Sequence, residues 1–320
     1  MILSLLACYA LAPQKALVFD APGLKRELES HHVKGFGFAV SVGGKSVSVE
    51  GDRRFSLQSV MKLVVAMAIL DRVDKGSMTL TDKVLITLND RSIGVQPIAD
   101  RIGPNGYRAP LSELIQSAVQ KSDSCAADVL ADHLGGIPAV QAFLRTKGLD
   151  GIRIDRNERH LQAETVGLTW GPSLGDPAVF KTALAHLSKA LRDAATAAYR
   201  RDIRDTATPL GMARLLSRFA EGKLLSSAST EWLWGVMQGT TTFPTRLKAG
   251  VPAGWSFGHK TGSSRTWRGL TVASNDVGLA KSPEGDWVVM AAYLGNSVLD
   301  DVARDRVLAG ASAAVFRHLR

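Results

Sequence analysis

The chain has 320 residues, 45% of them hydrophobic, enough to bury a large core in one big domain or two lobes. Aromatics make up 6% and no low-complexity tract occurs, which argues against disorder. The formal charge of +9 is spread along the chain without Lys/Arg runs or RNP-like or zinc-finger patterns. Nucleic-acid binding is therefore not expected, although a basic surface can draw anionic small molecules.

In chain order, the opening "MILSLLACYALA" is a short apolar run that resembles the core of a secretory signal. It lacks a basic start, and its "ALA" is followed by Pro13, which suits cleavage poorly; "LLAC" resembles a lipoprotein cleavage site at Cys8. The expectations are a leader over 1–20, export to the periplasm and a lipid anchor at Cys8. "GFGFAVSVGGKSVSVEGDRRFSL" (35–57) reads as two strands joined by a Gly-Gly turn. Helices are expected at 59–74, 110–120, 123–134, 137–147, 177–201, 209–221 and 227–238. "SFGHKTGSS", "GLTVASNDVGLA" and "DWVVMAAYLG" read as three adjacent strands, followed by a helix from about Asp300. Cys125 reads as a small buried residue, no disulfide is implied, and nothing after residue 20 is long enough to span a membrane.

The fold class is thus α+β. One lobe joins 21–58 and 240–320 around an antiparallel sheet, 59–239 forms a mostly helical lobe, and a ligand cleft lies between them.

The segment "FSLQSVMKLVVAMAIL" carries the first chemical signal. Every residue from Leu63 to Leu70 is apolar, so this helix is buried on all sides. Yet Ser59 and Lys62 share one face of its first turn, where the helix dipole disfavours a cation. On these residues alone two readings stand: Ser59 caps the helix while Lys62 snorkels outward, or a desolvated Lys62 takes the proton from a nucleophilic Ser59.

Four further islands follow: "KSDS" with Ser122 and Ser124; "RNERHLQ" with Arg156, Glu158 and Gln162; "RL" with Arg246; and "HKTGSS" with Lys260, Thr261, Gly262 and Ser263. In this order and rough spacing the set resembles the class A serine β-lactamases, whose signatures include S-x-x-K, S-D-N and K-T-G. "SVMK" and "KTG" fit fully, "SDS" departs at its last residue, and "RNERHL" resembles the family's Arg-x-Glu-x-x-Leu element. The likeness runs from the first hairpin to the final helix.

The resemblance implies hydrolysis of a β-lactam amide through a serine acyl-enzyme. Ser59 would attack the carbonyl, Lys62 (or Glu158 through a water) would take its proton, and Ser122 would protonate the leaving nitrogen. Glu158 would activate the deacylating water with help from Gln162. The backbone N–H groups of Ser59 and Ser263 would form the oxyanion hole, with Gly262 permitting close approach. Lys260, Thr261 and Arg246 would receive the substrate carboxylate, and Ser124 would touch the acyl side chain. No cofactor, metal or partner beyond the small-molecule substrate is expected, and a monomer is.

Several positions depart from the family. Ser124 stands where Asn is usual, and Gln162 where a shorter Asn is usual. Arg246 is preferred over Arg268 for the carboxylate, and Val95 replaces a cleft-mouth aromatic, which would leave one wall open. The largest departure is an insertion at about 165–203, between Glu158 and the "DTATP" element at Asp205. Val179, Ala183, Leu187, Leu191, Ala194 and Ala198 recur at helical spacing within it, so one amphipathic helix is expected, lying over the cleft or against the helical lobe. Arg156 and Asp205 can close its neck as an ion pair. Rival readings are a D,D-peptidase-like penicillin-binding enzyme, a β-lactam sensor acylated without turnover, and an unrelated binding protein. Glu158 speaks against the first, and the lack of a signalling span against the second.

Overall fold

The computed structural model describes residues 17–30 and 33–320. Most of the expected leader, with Cys8, lies outside them. Helix α1 (Ala21–Ser30) precedes strands β1 (Phe36–Val42) and β2 (Lys45–Val49), joined by Gly43 and Gly44, both at positive φ as the tight turn requires. β3 (Phe55–Ser56) leads into a 3₁₀ turn at Gln58–Val60 and then α2 (Met61–Asp74). The helical lobe follows with hairpin β4 (Lys83–Ile86) and β5 (Tyr107–Pro110), α3 (Leu111–Gln120), α4 (Ser124–Leu134) and α5 (Ile137–Thr146). Next come β6 (Ile152–Arg153), α6 (Glu158–Glu164), α7 (Pro177–His186), α8 (Lys189–Tyr199), β7 (Thr206–Ala207), α9 (Pro209–Ala220) and α10 (Ser227–Gln238). The chain ends with β8 (Ser256–Ser263), β9 (Thr266–Trp267), β10 (Leu270–Lys281), β11 (Trp287–Ser297) and α11 (Asp301–Arg317). Among the described residues no helix is long and apolar enough to cross a membrane.

Both chain ends meet in one antiparallel sheet of order β2-β1-β11-β10-β8, as the sequence indicates. Its strands are covered on both faces, so β11 is apolar almost throughout. Val289, Ala291 and Tyr293 face the core shared with the helical lobe, while Val288, Met290, Ala292 and Leu294 face α1 and α11. Helix α2 runs through the shared core with every residue from Met61 to Asp71 buried. Each buried Leu, Ile or Val there contributes about 1.5–3 kcal/mol, ample to offset a lysine in the first turn.

The single long helix expected in the insertion is two. Leu187 is extended (φ −66°, ψ 130°), and Ser188 caps α8 by accepting from Leu191 N at 3.2 Å. The expected apolar stripe is not a core face: Val179 is 42% and Leu191 56% exposed. The buried side chains of the two helices are Phe180 and Tyr199.

Candidate active site

Ser59 stands at the 3₁₀ entry to α2 and caps nothing; its Oγ accepts a hydrogen bond from Lys62 Nζ at 2.9 Å. Lys62 does not snorkel outward, being 1% exposed. Its ammonium also donates to the Ser122 carbonyl at 2.7 Å and to Ser124 Oγ at 3.0 Å, and one of its three N–H groups is shared with Ser122 Oγ at 3.4 Å. Glu158 Oε1 lies 3.5 Å from the same nitrogen. A buried lysine without such partners would cost several kcal/mol, and these contacts offset that cost.

Ser122 and Ser124 do not cap α4. Asp123 between them does, accepting from Ala126 N at 2.9 Å. Ser122 is held at a positive φ of 60°, with its Oγ 3.0 Å from Lys260 Nζ and 3.4 Å from Lys62 Nζ. Two ammonium groups thus donate to this hydroxyl, leaving its own proton free for a third partner. Ser124 is buried, and its Oγ serves Lys62 and comes within 3.5 Å of Glu158 Oε2.

Glu158 opens α6 and is 1% exposed, not a surface ion-pair partner of its neighbours. Arg156 binds Asp205 at 2.6 Å and Arg159 binds Asp128 at 3.1 Å. Gln162, one turn on, donates through Nε2 to Glu158 Oε2 at 3.2 Å and to Gln58 Oε1 at 2.8 Å. Among the described residues Glu158 Oε1 has no hydrogen-bond partner, which leaves a buried acceptor beside Lys62.

Lys260, Thr261 and Gly262 lie on β8, one of the two edge strands of the sheet. Lys260 is fully buried, and burial together with the Lys62 charge pushes its ammonium well below the usual lysine range. Thr261 Oγ1 is paired with Thr242 Oγ1 at 2.6 Å. A Cβ on Gly262 would meet the Leu57 carbonyl at 2.6 Å and Ser59 N at 3.2 Å, so only glycine lets this strand approach the nucleophile. Ser264 N donates to the Ala273 carbonyl at 2.9 Å, and in an antiparallel ladder the alternation turns the Ser263 N–H outward to the free edge. The N–H groups of Ser59 and Ser263 therefore border the same space.

Arg246 is placed differently from the expectation of a guanidinium open to substrate. It is 3% exposed, and its nitrogens bond Asp305 at 2.8 Å, the Asn275 carbonyl at 2.9 Å and Ser263 Oγ at 2.8 Å. Arg268 lies on the β9–β10 turn, paired with Asp193 of α8 at 3.1 Å. Val95 is itself exposed, at 59%. A cavity of about 380 Å³ lined by Gly94, Val95, Phe180, Lys181 and Arg265 has α7 as one side.

Sequence reading missed Gln58, Asp128 and Tyr199. Asp128 accepts from Glu158 N at 2.7 Å and Arg159 N at 3.0 Å, orienting the start of α6. Burial pushes its carboxyl up to about 6 against the pull of Arg159, still ionised at neutral pH. Its signal was available, because Asp128 is one turn after Ser124 on the same helix face. Gln58 and Tyr199 carried none.

The inserted segment crosses between the lobes. Asp176 pairs with Arg91 at 3.2 Å, and Gln96 donates to the Gly175 carbonyl at 2.9 Å. Phe180 packs on Ile93, Ala163 and Val166, with Arg265 stacked over its ring at 5.1 Å. On the far side Asp193 accepts from Trp267 Nε1 at 2.7 Å, and Arg192 lies 3.6 Å from the Trp267 ring centre. The neck is closed by the β3-β7-β6 ladder and by Asp205, which accepts from Asp155 N at 2.7 Å and Arg156 N at 2.9 Å as well as from the Arg156 guanidinium.

The beta-lactamase enzyme family model matches residues 24–319. The chain is 28% identical over 255 residues to beta-lactamase VEB-1 of Pseudomonas aeruginosa, covering 79% of this chain and 74% of that protein. It is 26% identical over 307 residues to extended-spectrum beta-lactamase PER-1 of the same organism, covering 93% and 88%. Among solved structures it is similar to TLA-3 extended-spectrum beta-lactamase, with a TM-score of 0.75 at 26% identity over 93% of this chain and 98% of that one. An ancestral class A beta-lactamase gives 0.72 at 29% identity, covering 92% and 99%. With the serine-lysine pair, the edge-strand KTG and the buried glutamate in one cleft, this chain belongs to the beta-lactamase enzyme family, in its class A branch, as a β-lactam hydrolase.

Proposed function

We propose that the hydrolysis runs through an acyl-enzyme on Ser59. The observation that carries this reading is the position of Lys62 Nζ, buried and 2.9 Å from Ser59 Oγ while 3.5 Å from Glu158 Oε1. As an ammonium, Lys62 cannot accept a proton. Transfer of one proton to the adjacent Glu158 makes it neutral, and it then takes the proton from Ser59 Oγ as that oxygen attacks the lactam carbonyl. The carbonyl oxygen gathers negative charge against the Ser59 and Ser263 N–H groups. Ser122 passes its own proton to the lactam nitrogen as the C–N bond breaks, regains one from Lys62, and Lys62 in turn recovers the proton held by Glu158, which leaves the carboxylate ionised for deacylation.

Deacylation follows from Glu158. Its Oε1 takes a proton from a water that attacks the ester, and Ser59 leaves with a proton returned through Lys62. Lys260 and Thr261 receive the substrate carboxylate, and Arg246 adds its charge from beneath through Ser263 Oγ rather than by direct contact. Ser124 serves by holding Lys62. The acyl side chain lies in the cavity roofed by α7. The reading takes the enzyme as an exported, periplasmic monomer, with Cys8 as a candidate lipid anchor.

The test is mass spectrometry of protein mixed with a penicillin. Wild type turns over, Ser59→Ala takes no label, and Glu158→Gln accumulates a long-lived adduct on Ser59. Rapid turnover by Glu158→Gln would move the deacylating base elsewhere. A wild-type adduct that never turns over would favour the sensor or peptidase-like readings.

A further inference from the structure

Tyr199 ends α8 and belongs to the inserted segment, outside every motif. Its ring is buried, and its hydroxyl lies 2.6 Å from Ser56 Oγ and accepts a hydrogen bond from Gln58 Nε2. Burial keeps this phenol protonated, its pKa pushed up to about 12, so it acts as a dipole and not as a base. Gln58 directly precedes the nucleophile, is fully buried and is held at φ +47°. Its Oε1 accepts from Gln162 Nε2 at 2.8 Å, and the second N–H of that nitrogen reaches Glu158 Oε2 at 3.2 Å. A continuous chain therefore runs from the inserted helix through two amides to the carboxylate.

We propose that Tyr199 is a positioning residue that fixes the orientation of the Gln58 and Gln162 amides and so holds Glu158 for deacylation. This rests on the reading of Glu158 as the deacylating base. An amide has a donor end and an acceptor end, and the choice at each link dictates the next. With the tyrosine hydroxyl accepting, Gln58 must point its nitrogen at Tyr199 and its oxygen at Gln162. Gln162 must then offer its nitrogen to both Gln58 and Glu158. Without that hydroxyl, the buried Gln58 nitrogen has no acceptor on that side, and its amide turns over to find one. Two nitrogens would then face each other, so Gln162 turns as well and presents its carbonyl oxygen to the Glu158 carboxylate. The carboxylate loses a donor and gains a repulsion.

The experiment separates acylation from deacylation by rapid quench with benzylpenicillin in wild type, Tyr199→Phe, Gln58→Asn and the double variant. Phenylalanine keeps the buried ring. Asparagine keeps an amide and tolerates positive φ, but is too short for both contacts. Tyr199→Phe is expected to slow deacylation about tenfold, the scale of one buried hydrogen-bond acceptor lost. Acylation should change by less than about twofold, and an adduct should accumulate. Gln58→Asn should show the same split, and adding Tyr199→Phe to it should have little further effect.

Wild-type deacylation in Tyr199→Phe, equal losses in both steps, or independent effects in the double variant would each overturn the proposal. Should Tyr199→Phe not fold, Gln58→Asn decides alone: unchanged deacylation overturns the relay, and a deacylation-specific loss supports it. Wild type that forms no adduct on Ser59, or a Glu158→Gln variant that deacylates normally, fails the underlying mechanism instead.

Discussion

The floor of the cleft and the inserted roof are held together by different physics. On the floor, Lys62, Glu158 and Lys260 are buried ionisable groups held by hydrogen bonds to Ser59, Ser122, Ser124 and Gln162. The roof, α7 and α8, buries two aromatic side chains and otherwise rests on polar contacts at its ends, to Arg91 and Gln96 on one side and Trp267 and Arg268 on the other. A region with few buried apolar contacts opens at lower free energy than the core does. The floor is thus the more rigid region, while the roof is the one free to shape access. The two meet at Tyr199, where the roof reaches the floor's own hydrogen bonds.

The largest effect belongs to the floor. Lys62→Ala removes the group that contacts Ser59, both serines of the SDS island and Glu158. Acylation of Ser59 should fall by about 10²–10⁴-fold, the usual contribution of one positioned acid/base. Stopped-flow acylation by a penicillin measures it. An acylation rate within a few-fold of wild type would reduce the lysine to a structural charge and erase the contrast with the roof.

This floor was largely legible in the sequence, and the reason is geometric. Ser59 and Lys62 are one helical turn apart, and Thr261 and Gly262 follow Lys260 on one strand, so local spacing fixes their relation. What local spacing could not show is what joins them. Gln58, Ser122 and Asp205 all take positive φ without being glycine, and nothing in the residue type announces that. Their strain is sustained by long-range bonds, such as Leu57 N to the Asp205 carbonyl at 2.8 Å. Arg246 was expected to meet the substrate carboxylate, and its burial was not legible because its acceptors Asp305 and Asn275 are distant in sequence. In the insertion, helical periodicity was real, yet Ser188 is itself a cap signal that interrupts the run.

An intermediate effect is expected where roof and floor share a neck. Asp205 is fully buried and binds Arg156 by side chain and backbone. Asp205→Ala leaves the Arg156 guanidinium without its fully buried partner, although Glu164 and Asp202 remain in reach. Removing one member of a buried pair costs about 3–5 kcal/mol when nothing compensates, so the loss here should fall below that. Deacylation should slow by roughly tenfold or more while acylation is affected less, because Arg156, which Asp205 holds, is two residues from Glu158. Thermal melts with rapid-quench rates check both, and an equal fall in the two steps would make Asp205 a support of the whole site rather than of the glutamate.

The smallest change in rate, and the sharpest for the comparison, concerns the roof alone. Replacing 172–186 by a short linker keeps α8 and Tyr199 but removes Phe180 and Lys181 from the cavity of about 380 Å³ beside Val95. Loop closure depends weakly on length, so the shortened neck should still form. Acylation of Ser59 by a β-lactam with a small side chain should stay within about twofold of wild type, since no group in the proposed proton path is touched. A bulky side chain should gain or lose several-fold relative to the small one, since one or two apolar contacts are worth about 1–3 kcal/mol in discrimination. Ratios of kcat/KM for the two substrates, in wild type and the trimmed protein, give the answer. An unchanged ratio would make α7 scaffold only. A collapse of both rates would mean that the roof holds the floor in place through more than Tyr199, and that the two regions are one unit.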